Sequence, residues 1–158
     1  MTRRALLLDQ RGFVGGFEVL PFGLLVFLAG ALLFTNAWAV VDGTMAASAA
    51  AREAARAYVE ATSEGEAVDD AVAAARAVIS GHGRDPERMA IRWEPAPTFE
   101  RCSHNTVVVE YRVPTLTVPF VGAFGGGMIT TSGRHTEIVD PYRSGLGLDG
   151  FEAESCHA

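Results

Sequence analysis

The sequence predicts an α+β protein: an N-terminal transmembrane helix continuing into a stalk helix, then a second amphipathic helix packed on a small antiparallel sheet of about three strands. Three observations predict it. The run Val19–Val41 carries no ionisable residue and exceeds the ~20 apolar residues needed to cross hydrocarbon. Apolar residues recur at helical spacing between Val68 and Ile79, and beyond Pro86 three stretches show the composition and alternation of strands.

The membrane segment comes first. From Phe13 to Val41 the one ionisable residue is Glu18, and Trp38 lies near the outer end, where an amphipathic ring suits the headgroup layer. Arg3, Arg4 and Arg11 precede the span, whereas the first basic residue after it is Arg52. The positive-inside bias therefore puts the N-terminus in the cytoplasm and the remainder outside. This divides the 158 residues into a cytoplasmic leader-like segment 1–12, a transmembrane helix 13–41 and an extracytoplasmic region 42–158, long enough for one modest domain. The competing reading is a cleaved secretory signal, since Ala37-Trp38-Ala39 has the small-x-small form of a leader-peptidase site. The apolar stretch is far longer than the ~7–15 residues of an ordinary signal core, which favours an anchor.

The stalk follows from alanine. Residues Thr44 to Ala61 are alanine-rich and lack proline, and alanine loses no side-chain entropy on becoming helical. The stretch reads as a solvated stalk continuing the span, with Gly43 as the point where it can bend. Arg56 and Glu60, one turn apart, are placed to pair.

Ser63 and Glu66 have the spacing of a capping box. They open a helix whose Val68, Ala71, Val72, Ala75, Val78 and Ile79 form one apolar stripe. Gly81 and Gly83 end it, and Pro86 prevents a restart. Met89, Ile91 and Trp93 then alternate on a short strand, and Val107, Val109, Tyr111 and Val113 on a longer one. Ile129 to Val139 is rich in threonine and β-branched residues. A three-stranded sheet with one apolar face needs a cover, for which the Val68–Ile79 helix is the candidate. Between the last two strands, Pro114 to Gly127 is charge-free and includes Phe120 and Phe124. Such a loop is either tucked under the sheet or kept for a partner or the membrane surface.

Charge and cysteines narrow the function. Of 19 acidic and 13 basic residues, only Asp9, Glu18, Arg3, Arg4 and Arg11 lie before Asp42, so the exported region is net acidic. That argues against nucleic acid or anionic lipid as its main partner, since both require clustered positive charge. Cys102 and Cys156 both fall where a disulfide persists, and a loop of that length stabilises by roughly 4 kcal/mol on the chain-entropy argument. The other readings are two free thiols, or a metal set with His104 and His157, whose Cys-x-His and Cys-His spacings do not match the usual zinc pairs. His82 and His135 read as solvated. No nucleophile with its base, no paired carboxylates on one element and no phosphate loop is visible, since Asp69 and Asp70 are sequence neighbours that point apart and no lysine follows the Gly125–Gly127 run. The expectation is a non-enzyme without cofactors or metal. A membrane-anchored enzyme with a site assembled from distant residues is the weaker alternative.

The order Arg11-Gly12, small and apolar residues, Glu18, Pro21 and a long apolar helix resembles the start of type IV pilin-like proteins, particularly the TadE-like proteins of tight-adherence pilus systems. AASAAAREAARAYVEA from Ala46 to Ala61 is similar to the Ala-Arg-Glu-rich helix that follows their anchor. VPFVGAFGGGMITTSGRHTEIVDPYRSGL from Val118 to Leu146 is similar to their Pro-Phe-Gly-rich loop, last strand and terminal segment. The resemblance implies a prepilin peptidase cut between Gly12 and Phe13, although Glu18 stands one residue later than the family's usual glutamate. It also implies a cytoplasmic-membrane protein, reaching the cell surface where it enters a pilus. Its partners are then membrane lipid, other pilin or pilin-like subunits and the inner-membrane assembly machinery. Glu18 either reaches the cytoplasmic interface, near the positive end of the helix dipole, or pairs with a positive charge of another subunit; on the second reading it is the expected assembly residue, together with Phe120 and Phe124. The runner-up function is a secreted binding module released after Ala39.

Overall fold

The computed structural model describes residues 19–116, 127–146 and 156. Helix α1 runs without a break from Val19 to Glu60, 42 residues, or about 63 Å at 1.5 Å per residue. Its two halves have opposite surroundings. Leu20, Phe22, Leu25, Phe27, Leu33, Phe34 and Trp38 are exposed, whereas Gly43, Ala46, Ala47, Ala50, Ala51, Ala54, Ala55 and Tyr58 are buried. Among the described residues this is the one helix long and apolar enough to cross a membrane.

Helix α2 (Glu64–Gly81) folds back after a short turn. Ser63 is its N-cap residue, but the hydroxyl meets the Glu66 carboxylate at 3.3 Å and not a backbone amide. The expected capping box is therefore not formed, and the Ser63 carbonyl accepts from Glu66 N and Ala67 N. The C-terminus closes as the glycines predict. Gly83 adopts φ +68°, and Gly83 N and Arg84 N donate to the carbonyls of Ser80 and Ile79, at 2.8 and 3.1 Å. This is the Schellman arrangement, for which the left-handed position favours glycine.

A single 3-10 turn, Pro86–Arg88, leads into β1 (Met89–Trp93), followed by β2 (His104–Pro114) and β3 (Met128–Ile138). They form an antiparallel sheet in the order β1-β2-β3, with Ile91 opposite Val109, Val109 opposite Gly133 and Val113 opposite Ile129. The expected alternation holds: Val107, Val109, Tyr111 and Val113 are buried on one face. The other face carries an exposed ionic cluster, in which Arg92 contacts Glu110 and Glu94, and Arg134 contacts Glu94.

The layering differs from the expectation in one respect. The cover of the sheet is the C-terminal half of α1, which lies along β2 and β3, while α2 packs on α1 and touches the sheet only slightly, at β1. The stretch read as a solvated stalk is thus the central element of the core, and Gly43 is a point of close approach inside a continuous helix. The cause is side-chain size. Alanine propagates a helix in solvent and equally lets two elements approach closely, so propensity cannot distinguish a stalk from a packed spine. The same effect shifts the stripe of α2: Ala67, Ala71, Ala75 and Ile79 are buried against α1, and Val68 lies exposed at the margin.

Tyr58 closes the far end of this core, its ring 4.6 Å from that of Trp93 and edge-on to Phe99 at 5.7 Å. Fully burying side chains such as Ile79, Val107, Val109 and Val113 contributes about 1.5–3 kcal/mol each.

Candidate functional site

The feature the residues build together is the junction where the exposed half of α1 enters the domain. Two glycines make it. A Cβ on Gly43 would lie 2.6 Å from Val113 Cγ2, and a Cβ on Gly133 would lie 2.3 Å from the backbone of Ser48. At Gly133 strand and helix therefore meet backbone to backbone, which only glycine permits at this distance, while at Gly43 the helix backbone meets the side chains of Val113 and Thr131. Small side chains in α1 and a gap in β3 bring the sheet down onto the helix.

Next to Gly43 on its N-terminal side, α1 carries its first charge. Asp42 pairs with Arg84, which follows the turn that ends α2, and Arg84 Nη2 also donates to the Ala39 carbonyl at 3.4 Å. The guanidinium stands 5.3 Å from the centre of the Tyr111 ring. Its Nε is buried without a hydrogen-bond partner. Arg84 thus ties α1, α2 and β2 at a single point, and a buried guanidinium holds that position best when its carboxylate is retained. Beside it, Asp42, His82, Asp85, Arg88, Tyr111 and Pro114 line an open cleft of about 420 Å³.

Still further toward the N-terminus, the end of the β2–β3 hairpin reaches the apolar half of the helix. Leu116 N donates to Asn36 Oδ1 at 2.9 Å, and Asn36 Nδ2 donates to the Leu32 carbonyl at 3.0 Å. Thr115 closes the hairpin's last rung through Gly127, with its hydroxyl 2.8 Å from the Gly127 carbonyl. Asn36 was not singled out by sequence reasoning. The signal was there as a lone amide in an apolar run, a residue type that in such a setting has a partner.

At the opposite end, Arg143 donates to the carbonyls of Val59 and Ala61 and stands 4.7 Å over the Phe99 ring. It satisfies the orphan carbonyls at the end of α1, a role with no local sequence signature. Arg101 donates to the carbonyls of Pro141 and Leu146, the latter at 2.9 Å. Cys102 and Cys156 form a disulfide across 54 positions, with Cα atoms 5.1 Å apart. Both thiols are consumed, so neither is available as a metal thiolate.

The remaining candidate residues scatter. Asp69 and Asp70 are exposed on α2, His82 is exposed at its C-cap, and His135 lies 3.5 Å from Glu137. Among the described residues no three His, Cys, Asp or Glu side chains come together as a metal site. Gly12, Phe13, Glu18, Phe120, Phe124 and His157 lie outside the described residues. No family model, curated protein or solved structure matches the chain.

Proposed function

We propose that this protein is a single-pass membrane protein of the cytoplasmic membrane that acts as a pilin-like assembly subunit of a tight-adherence type system, by packing against other subunits and without turnover. The observation that carries the reading is the continuity of α1, which is exposed and apolar over its first half and the spine of the domain over its second. In such a molecule anchor and head move as one body, because the helix connecting them has no hinge and its second half is buried under the sheet. An assembly machine that draws the anchor into a helical bundle then places the head in the same step. Further support is the order Arg11-Gly12, Glu18, Pro21 ahead of the apolar run, with Glu18 as the proposed register-setting charge.

The second reading, release of a secreted binding module after Ala39, is favoured by Ala37-Trp38-Ala39 and by a core that starts at Gly43. Intact mass of the protein recovered from membrane and soluble fractions separates the two. The proposed function expects a membrane-bound product that retains Val19–Val41 and begins at Phe13 if the peptidase acts. A water-soluble native product beginning at Val40 removes the assembly role.

A further inference from the structure

Two charge-free segments end side by side in this fold. One is Val19–Val41 in α1, bounded by Asp42; the other is Val113–Gly133 in the β2–β3 hairpin, bounded by Arg112 and Arg134. The described parts of the second segment, residues 113–116 and 127–133, run along α1 toward its N-terminus. Gly133 packs on Ala47 and Ser48, Val113 and Thr131 on Gly43, and Leu116 reaches Asn36. Asn36 lies six residues before Asp42, roughly 9 Å along the helix, and therefore inside the run that crosses the bilayer if α1 is the anchor. Among the described residues, those nearest the hairpin turn are apolar on both faces. Leu116, Met128 on the outer face and Ile129 on the helix-facing side are 52, 62 and 43% exposed, and Trp38, two residues along α1 from Asn36, is 63% exposed. The charged junction of Asp42, Arg84, Asp85 and Arg88 lies on the domain side of this level.

We propose that the adjoining ends of β2 and β3 are a second membrane contact, with Leu116, Met128 and Ile129 inserted at the boundary of headgroups and acyl chains at the depth of Trp38, so that the domain rests on the outer leaflet. The occupant of this face is lipid, because its apolar surface is continuous with that of the anchor and Asn36 joins the two by a hydrogen bond. The amide of Leu116 donates to Asn36 at a depth where water is scarce. The domain then has two attachment points, which set its orientation relative to the membrane. This inference rests on the anchor reading above, and its test separates the two.

The full chain is reconstituted in phosphatidylcholine vesicles with and without bromine on the acyl chains, and tryptophan quenching is read. A Trp93→Phe variant reports Trp38 alone; adding Trp38→Phe with Leu116→Trp, or with Met128→Trp as a second position, reports the hairpin end. Quenching of Trp38 and of the tryptophan at 116 or 128, with blue-shifted emission, is the expected result. Quenching of Trp38 with solvent-exposed emission at both hairpin positions overturns the proposal and leaves the anchor standing. Blue-shifted emission there without bromolipid quenching assigns the face to a protein neighbour and also overturns it. Absence of quenching at every position overturns anchor and hairpin contact together.

Discussion

Gly133 is the residue at which sequence and packing are most tightly coupled. In a strand a glycine usually weakens packing, yet here it admits the backbone of α1, and a Cβ would stand 2.3 Å from Ser48 N and Cα. Neither contact atom belongs to a flexible side chain, so Gly133→Ala forces helix and sheet apart and is expected to cost about 1–3 kcal/mol or more. Urea unfolding of the full chain in detergent, followed through Trp93, measures it. Tyr58 carries a second prediction. Burial first, and then the Glu64 carboxylate, raise its pKa above the ordinary 10.0. The unfolded tyrosine releases its proton at lower pH than the folded one, so the contribution is whole below pH 10 and is lost as pH climbs through the raised value. Stability of the wild type should fall above pH 10 more steeply than that of Tyr58→Phe. Parallel alkaline slopes would show that this hydroxyl does not carry the effect. Arg56, exposed on the outer side of α1, pairs with Glu60 at 2.9 Å as its spacing foretold, and that pairing raises its pKa.

Among elements, the described residues after β3 are fastened by specific groups, beginning with buried Val139, which exchanges backbone hydrogen bonds with Cys102 and Ser103. Arg101 gathers the carbonyls of Pro141 and Leu146, Arg143 reaches back to the end of α1, and the disulfide joins Cys156 to Cys102, which sits at φ 62° in the loop before β2. That loop is itself organised by buried Asn105, whose Oδ1 accepts from Thr98 N and whose Nδ2 donates to Thr98 O, both at 2.9 Å. The Cys102→Ser/Cys156→Ser pair removes a cross-link of 54 positions and is expected to lower stability by about 4 kcal/mol. A matching loss on reduction of the wild type, with the double variant indifferent to reductant, is the check. The start and stop of α2 illustrate how legible elements were. Gly83 was readable because only a left-handed position explains glycine just past a periodic run, whereas the capping box failed because Ser63 and Glu66 engage each other.

At the scale of the whole molecule, the apolar half of α1 adds little to the domain core, which begins at Gly43. A chain starting at Val40 is therefore expected to fold as a water-soluble head with a cooperative thermal transition, having lost the Asn36–Leu116 and Ala39–Arg84 contacts. A molten or aggregated product would mean that the anchor completes the domain. Solubility of the head cannot choose between an anchored subunit and a released module, which is why the mass of the native product is the deciding measurement.

Residue order alone determined the long apolar run, the alternation of the strands, the end of α2 and the presence of two cysteines suited to pairing. Each depends on interactions within a few positions or on a composition that one solvent tolerates. Tertiary structure alone decided which helix covers the sheet, that Gly43 and Gly133 are contact points, that Asn36 receives the hairpin and that Arg84 and Arg143 fasten the two ends of the buried half of α1. The physical reason is that alanine and glycine carry almost no preference of their own between solvent and close contact. What they face is set by the distant backbone that approaches them, and that approach has no local signature.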